Sequence, residues 1–326
     1  MQLNSVISQL ADKVLSGGAI DYVEAEDLVR QEGLDDLLYC ANAIRKRYKG
    51  HKIHFCSIIN AKSGRCSENC RFCAQSAHYK TPARVYPLVE AEKMVAGAES
   101  AQELGADCYC IVTSGRGAAQ GDNLERICQA VQDIRRKTRI PPAASLGELD
   151  ETAALKLKQA GLSRYHHNLE TSARFFPQIC SSHSYQDRLN TLRLVKRQGL
   201  ELCCGGIFGL GEGWGDRLEM AFALRELGAD SIPLNFLMPI PGTPLESASP
   251  LTPQDILKII ALFRFILPDK DIKVCGGREA HLRDVQSWMY YAGANGALIG
   301  NYLTTSGRPP EEDLRMAADL GLEAAG

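Results

Sequence analysis

Cys66, Cys70 and Cys73 fall in the run Gly64-Arg65-Cys66-Ser67-Glu68-Asn69-Cys70-Arg71-Phe72-Cys73, a Cys-x3-Cys-x2-Cys spacing with no fourth thiol at either expected offset. Thiolates are the usual protein ligands of iron–sulfur clusters. Three of them on a four-iron cluster leave one iron open. An open iron can hold a small chelating molecule, whereas a fully ligated cluster can only pass electrons. A structural zinc site favours paired Cys-x2-Cys motifs, and no second such pair is present. A ferredoxin run closes on Cys-Pro, also absent. The spacing therefore points to a cluster with a reactive corner.

Further residues able to do chemistry are spread along the chain. His78 reads as a loop histidine that shapes the site, and Tyr79 as a cover for it. Cys108 and Cys110 are two apart on an expected strand, so they share a face. His166, Asn168 and Glu170 share a face in the same way, with His167 and Leu169 opposite. Three polar groups on an interior face need partners, and a ligand could supply them. Cys203 and Cys204 are adjacent, so one alone can point into a barrel, and Gly205 and Gly206 allow close approach to the backbone. Asn235 interrupts an apolar run, and Lys273 and Cys275 share a face. Cys40, Cys56, Cys128 and Cys180 read as structural, with Cys180 in a polar, exposed loop.

The elements that position these residues repeat. Strands are expected at 54–60, 107–113, 143–147, 165–170, 202–209, 232–238, 272–276 and 296–300. Helices with three- and four-residue apolar spacing are expected at 91–104, 124–136, 151–160, 185–198, 217–227, 253–266 and 282–292. Gly105, Gly161, Gly199, Gly228 and Gly293 stand where a helix stops. Eight such units suit a closed (β/α)8 barrel of the α/β class, with chemistry at the carboxyl ends of the strands. An open doubly wound sheet would carry Gly-x-Gly-x-x-Gly after its first strand; here the cysteine run follows instead. Residues 1–50 read as a helical lead-in, with Asp21 capping 24–32 and a further helix at 34–49, and residues 51–326 as the barrel.

Composition narrows the class. The 326 residues are 45% hydrophobic and 23% charged with net charge −2, which is ordinary globular usage without a nucleic-acid footprint. No signal peptide or membrane span is expected, so the reading is soluble and cytoplasmic. Twelve cysteines in such a chain argue for metal or redox chemistry over disulfides.

Phe72 before the third cysteine fits the radical S-adenosylmethionine (SAM) superfamily, in which the open iron binds the amine and carboxylate of SAM. From about residue 50 to 320 the chain resembles the biotin synthase family. The blocks are the cluster run, Tyr79-Lys80-Thr81, His167 to Ser172, Tyr185-Gln186-x-Arg188-Leu189, Gly205 to Glu212, Gly242-Thr243-Pro244-Leu245, Gly277-Arg278-Glu279 and Ala292-Gly293-Ala294-Asn295. The resemblance implies a homodimeric radical SAM barrel that inserts sulfur between C6 and C9 of dethiobiotin, fed electrons by a flavodoxin or ferredoxin. It implies Cys66, Cys70 and Cys73 as ligands of the [4Fe-4S] cluster that cleaves SAM. It implies Phe72, Thr113, Ser114, Gly115, Glu170, Arg188, Ile207 and Met238 as SAM contacts, with Glu170 where the family has Asp. Asn168 and Asn235 match the amides that hold the ureido ring, and Thr304 and Thr305 a Thr pair near the substrate carboxylate.

The family's auxiliary two-iron cluster uses three cysteines and an arginine. Cys110 and Cys203 match two of those cysteines, Ala143 stands at the third, and Lys273 at the arginine. New thiols appear at Cys108 and Cys275. The implied auxiliary site is all-cysteine, of two- or four-iron type, held by Cys108, Cys110, Cys203 and Cys275, with Lys273 a nearby cation and Cys204 the next candidate. Unactivated C–H bonds need a radical cofactor. SAM cleaved by the first cluster would supply a 5′-deoxyadenosyl radical, and the second cluster the sulfur. The rivals are another radical SAM barrel, of hydrogenase-maturation or methylornithine type, and a non-enzymatic iron–sulfur electron carrier. SAM cleavage separates the carrier from the enzymes, and biotin formation separates the enzymes.

Overall fold

A computed structural model describes residues 3–117 and 121–325. The helices are α1 Ser5–Leu15, α2 Tyr22–Arg30, α3 Leu34–Lys49, α4 Ala91–Glu103, α5 Asp122–Lys137, α6 Glu151–Gln159, α7 Tyr185–Arg197, α8 Trp214–Glu226, α9 Pro253–Ile266, α10 Arg278–Leu282, α11 Trp288–Tyr291 and α12 Pro310–Ala318. The strands are β1 Lys52–Lys62, β2 Cys108–Thr113, β3 Pro142–Ser145, β4 Arg164–His166, β5 Glu201–Cys203, β6 Gly206–Phe208, β7 Ser231–Phe236, β8 Asp271–Val274, β9 Gly296–Leu298 and β10 Glu323–Ala324. All pair in parallel.

The strands close into an eight-membered barrel. β1 pairs with β2 on one side and β9 on the other. β5 and β6 are two halves of one barrel strand, and both pair with β7. The break lies at Gly205, where a Cβ would sit 1.9 Å from the Pro233 carbonyl oxygen. Only glycine permits that approach. The interruption leaves side-chain parity intact: Cys203 and Ile207 both line the interior cavity, while Cys204 is fully buried in the outer core.

The lead-in helices follow their sequence signals. Asp21 caps α2, accepting from Glu24 N, while the Glu24 side chain accepts from Asp21 N, two otherwise orphan donors satisfied together. α3 packs on α9, and α2 on α8. The five expected stop glycines all carry positive φ. Two expectations need correction. The helix expected at 282–292 is broken into α10, a 3-10 turn at Arg283–Val285 and α11, with Arg283 at φ +50° at the break. The strand expected at 165–170 ends at His166, because the chain turns through Glu170 at φ +71°. Among the described residues no helix is long and apolar enough to cross a membrane.

Candidate functional site

A cavity of about 430 Å³ runs inside the barrel, from the cluster loop at Phe72–Gln75 and the Thr304–Thr305 segment down to Arg164 and Lys273. Its walls are the inward faces of the strands. On β1, Ile53 and Phe55 are buried against the helices, so Cys56 and Ile58 face the cavity, as strand alternation requires.

Six thiols line this cavity, Cys73 from the cluster loop and five from the barrel: Cys56, Cys108, Cys110, Cys203 and Cys275. None is in a disulfide. Barrel register brings them together, since Cys56 is the partner of Cys108 and Cys203 the partner of His166. Basic groups are interleaved. Lys273 Nζ donates to Cys56 Sγ at 2.8 Å, Arg164 Nη1 lies 3.6 Å from Cys108 Sγ, and His166 Nδ1 3.3 Å from Cys203 Sγ.

The electrostatics follow from that arrangement. The hydrogen bond with Cys108, and then the Lys273 and Arg164 cations, hold the Cys56 thiol well below the usual range against the opposing effect of burial. Its partner Cys108 is pushed up by the same hydrogen bond and by burial. Burial raises Cys110, Cys203 and Cys275. Burial alone would lower Lys273, but the Cys56 thiolate beside it more than offsets that and the ammonium is kept. Burial lowers His166, leaving a neutral imidazole. Unpaired buried charges are costly; here the Cys56 sulfur and the Lys273 ammonium meet in one chamber. Five thiols with two cations suit an iron–sulfur cluster, whose net negative charge needs such partners.

Above the thiols sit the amides. Asn168 Oδ1 accepts from Gly205 N at 3.1 Å, and its Nδ2 donates to Glu170 Oε2 at 3.2 Å. Asn235 Oδ1 accepts from Gly276 N at 3.0 Å, and its Nδ2 donates to the Gly206 carbonyl at 3.1 Å. The backbone fixes both amides, and each Nδ2 keeps a second hydrogen toward the cavity they line. Glu170 sits 3.6 Å from Arg188 Nη1, and Arg188 also donates to the Asn168 carbonyl at 2.8 Å and lies over the Phe176 ring. Arg188 Nε is buried without a partner. The positive φ of Glu170 is a strained conformation of the kind that collects at functional sites.

The cluster loop is closed by its own backbone, Cys66 N donating to the Gln75 carbonyl and Ala77 N to that of Cys66. Cys73 and Phe72 line the cavity, as do Ile207, Met238, Thr304 and Thr305. Burial pushes the Cys73 thiol up to about 11. Cys70 turns toward Cys180, 3.8 Å away. Among the described residues, Cys70, Cys180 and His183 are the group of possible ligands whose atoms all lie within 4.8 Å of one another. His78 Nε2 lies 2.9 Å from the Ser67 carbonyl and Tyr79 Oη donates to the Asn69 carbonyl at 2.5 Å, so both brace the loop. Thr113 ends β2 and Ser114 and Gly115 follow it, all three outside the cavity lining, and the Ser114 hydroxyl is committed to the Gly64 carbonyl at 2.8 Å.

Two cysteines read as structural stand elsewhere than expected. Cys56 belongs to the barrel thiols. Cys180 is buried, because its polar neighbours bind the cluster loop: Asn69 Oδ1 accepts from Ser181 N and Ser182 N at 3.0 and 3.1 Å, and Ser182 Oγ donates to Glu68 Oε2 at 2.6 Å. The alternating burial of β1 carries the signal for Cys56. Nothing in the local sequence signals Cys180.

Residues 61–224 match the Radical SAM superfamily, and residues 233–323 match the Biotin and Thiamin Synthesis associated domain. The biotin synthase of Geotalea uraniireducens (strain Rf4) is 54% identical over 325 residues, covering 99% of each chain. That of Geobacter sulfurreducens is 55% identical over 315 residues, covering 96% of each. Among solved structures, methylornithine synthase superposes with a TM-score of 0.85 at 21% identity, covering 97% of each chain. The FeFe-hydrogenase maturase from Carboxydothermus hydrogenoformans gives 0.80 at 18%, covering 97% of this chain and 78% of its own. These two likenesses concern the fold.

Proposed function

Because the chain belongs to the biotin synthase family, with SAM, a [4Fe-4S] cluster and an auxiliary iron–sulfur cluster as its cofactors, we propose that its two groups of cysteines are two separate cluster sites that divide the reaction between them. The reaction inserts sulfur into dethiobiotin. Cys66, Cys70 and Cys73 hold the cluster that binds SAM, and the barrel thiols Cys108, Cys110, Cys203 and Cys275 hold the auxiliary cluster. The observation that carries this reading is the chamber in which thiols, cations and two backbone-fixed amides converge below the cluster loop.

When bound, the loop cluster supplies the electron that cleaves SAM, and the auxiliary cluster supplies sulfur. The chain supplies position and insulation. Glu170 lines the cavity and Arg188 stands 3.6 Å from its carboxylate, a carboxylate and a guanidinium that can take the charged and polar groups of SAM. Asn168 and Asn235 each offer one N–H to the ureido carbonyl. Thr304 and Thr305 offer hydroxyls to the substrate carboxylate. Lys273 and Arg164 offset the auxiliary cluster's negative charge, Lys273 doing so where the family has an arginine. Apolar walls, Ile58, Val112 and Leu298 among them, keep out water and stray hydrogen donors. Holding substrate between the two sulfur sites is a positioning task.

We further propose residues 1–50 as a lead-in to one barrel domain over 51–326, a homodimeric cytoplasmic enzyme, and a flavodoxin or ferredoxin as electron donor. Anaerobic reconstitution with iron and sulfide, reduction, and assay for 5′-deoxyadenosine and biotin test the reading. Both products are expected. 5′-Deoxyadenosine without biotin would overturn the assignment of the barrel site, and neither product that of the loop.

A further inference from the structure

Sequence spacing groups Cys56 with the structural cysteines; its surroundings do not. Cys40 and Cys128 lie on helices, where burial pushes both thiols up, as befits small hydrophobes. Cys56 faces the barrel interior, accepts from Lys273 Nζ at 2.8 Å and is the register partner of Cys108. On its other side it is the partner of Leu298 on β9. Lys273 pairs with Gly296, so Cys275, two residues on, comes level with Leu298. The ring β2, β1, β9, β8 therefore sets Cys56 between Cys108 and Cys275. A cysteine sulfur held 2.8 Å from an ammonium and facing other thiols has the surroundings of a metal-binding cysteine.

We propose that Cys56 is an iron ligand of the auxiliary cluster, seated between Cys108 and Cys275. This rests on the reading of the barrel thiols as a cluster site. It makes the ligand pocket five thiols, one more than four irons need, with Lys273 Nζ set against the Cys56 sulfur.

The test uses the full chain with Cys66, Cys70 and Cys73 replaced by Ala, so that only barrel iron is read. In that background Cys56→Ser, Cys108→Ser and Cys275→Ser are compared after anaerobic reconstitution, by iron and sulfide content and by Mössbauer spectra. Cys56→Ser is expected to lose part of the barrel iron and to change the spectrum of what remains, as Cys108→Ser does. An unchanged spectrum and iron content in Cys56→Ser, with loss in the other two, would make Cys56 structural and leave the barrel site standing. Full retention in all three would overturn the barrel site itself. Alkylation of the unmutated protein guards against a folding defect. Cys56 is expected to be protected while iron is bound and labelled with Cys108 and Cys275 once a chelator has removed it. Labelling of Cys56 before iron removal, or of the other two without it afterwards, contradicts the proposal.

Discussion

The cluster loop and the barrel chamber both gather thiols, by opposite means. Cys66, Cys70 and Cys73 are near in sequence, and a loop closed by its own backbone holds them. The barrel thiols come from β1, β2, β5 and the end of β8, and only register brings them together. A one-residue slip on any of those strands would turn its cysteine out of the chamber. The loop site is therefore a property of a motif, and the barrel site a property of the whole fold. Cations mark the difference too. Lys273 and Arg164 lie among the barrel thiols, whereas Cys70 faces another thiol, Cys180.

The largest expected effect breaks the loop. Cys70→Ala should abolish 5′-deoxyadenosine formation and biotin formation together, since two thiolates hold a cluster poorly. Near wild-type yield would sink the loop assignment, and adding Cys180→Ala would show whether Cys180 had taken over as ligand. Next come the barrel thiols. Cys108→Ala and Cys275→Ala should lose biotin formation and keep SAM cleavage, so that the two products part company. Loss of both products together would deny that the sites are separate.

A third test loads the register itself. Asp271 opens β8, and Lys49 and Asn295 bind it, Asn295 Nδ2 at 2.9 Å. Burial alone would raise its carboxyl; the Lys49 ammonium holds it well below the usual carboxylate range. A folded pKa below the unfolded one adds stability above the unfolded value, which is lost as pH falls through the folded one. Lys49→Met should therefore cost about 1.5–3 kcal/mol at neutral pH and flatten the fall in Tm below about pH 4. An unchanged Tm profile would show the contact idle. The smallest effect is at the amides. Asn168→Ala and Asn235→Ala should each remove a hydrogen bond to substrate worth about 0.5–1.5 kcal/mol. Dethiobiotin binding should weaken several-fold while unproductive SAM cleavage persists; unchanged substrate dependence would make the amides purely structural.

The same contrast explains what the sequence could tell. The eight strand–helix units and the stop glycines are local patterns, and they are read from it directly. The loop cysteines are local as well. The place of Cys56 is missed when judged by its ten-residue distance from Cys66, because it depends on Cys108 standing beside it on the neighbouring strand. The alternation of Ile53 and Phe55 against Cys56 and Ile58 carries the information, but only once β1 is known to line a barrel. Cys180 is misread because Ser181, Ser182 and His183 look solvated, whereas they are spent on Asn69 and Glu68. β10, at Glu323–Ala324, has two exposed residues and no apolar signal; its pairing with Lys52 and Ile53 is a tertiary contact.

The division of labour between the two regions is tested most directly by following the sulfur atom. The protein is reconstituted with heavy-isotope sulfide, exchanged into light sulfide-free buffer, and allowed one turnover with SAM and dethiobiotin. Mössbauer spectra are taken before and after. The expected result is biotin carrying the heavy isotope, with the spectral change confined to the signal that survives when Cys66, Cys70 and Cys73 are replaced. Light biotin, or a change confined to the loop cluster, would contradict the assignment of sulfur donation to the cluster that the barrel thiols hold.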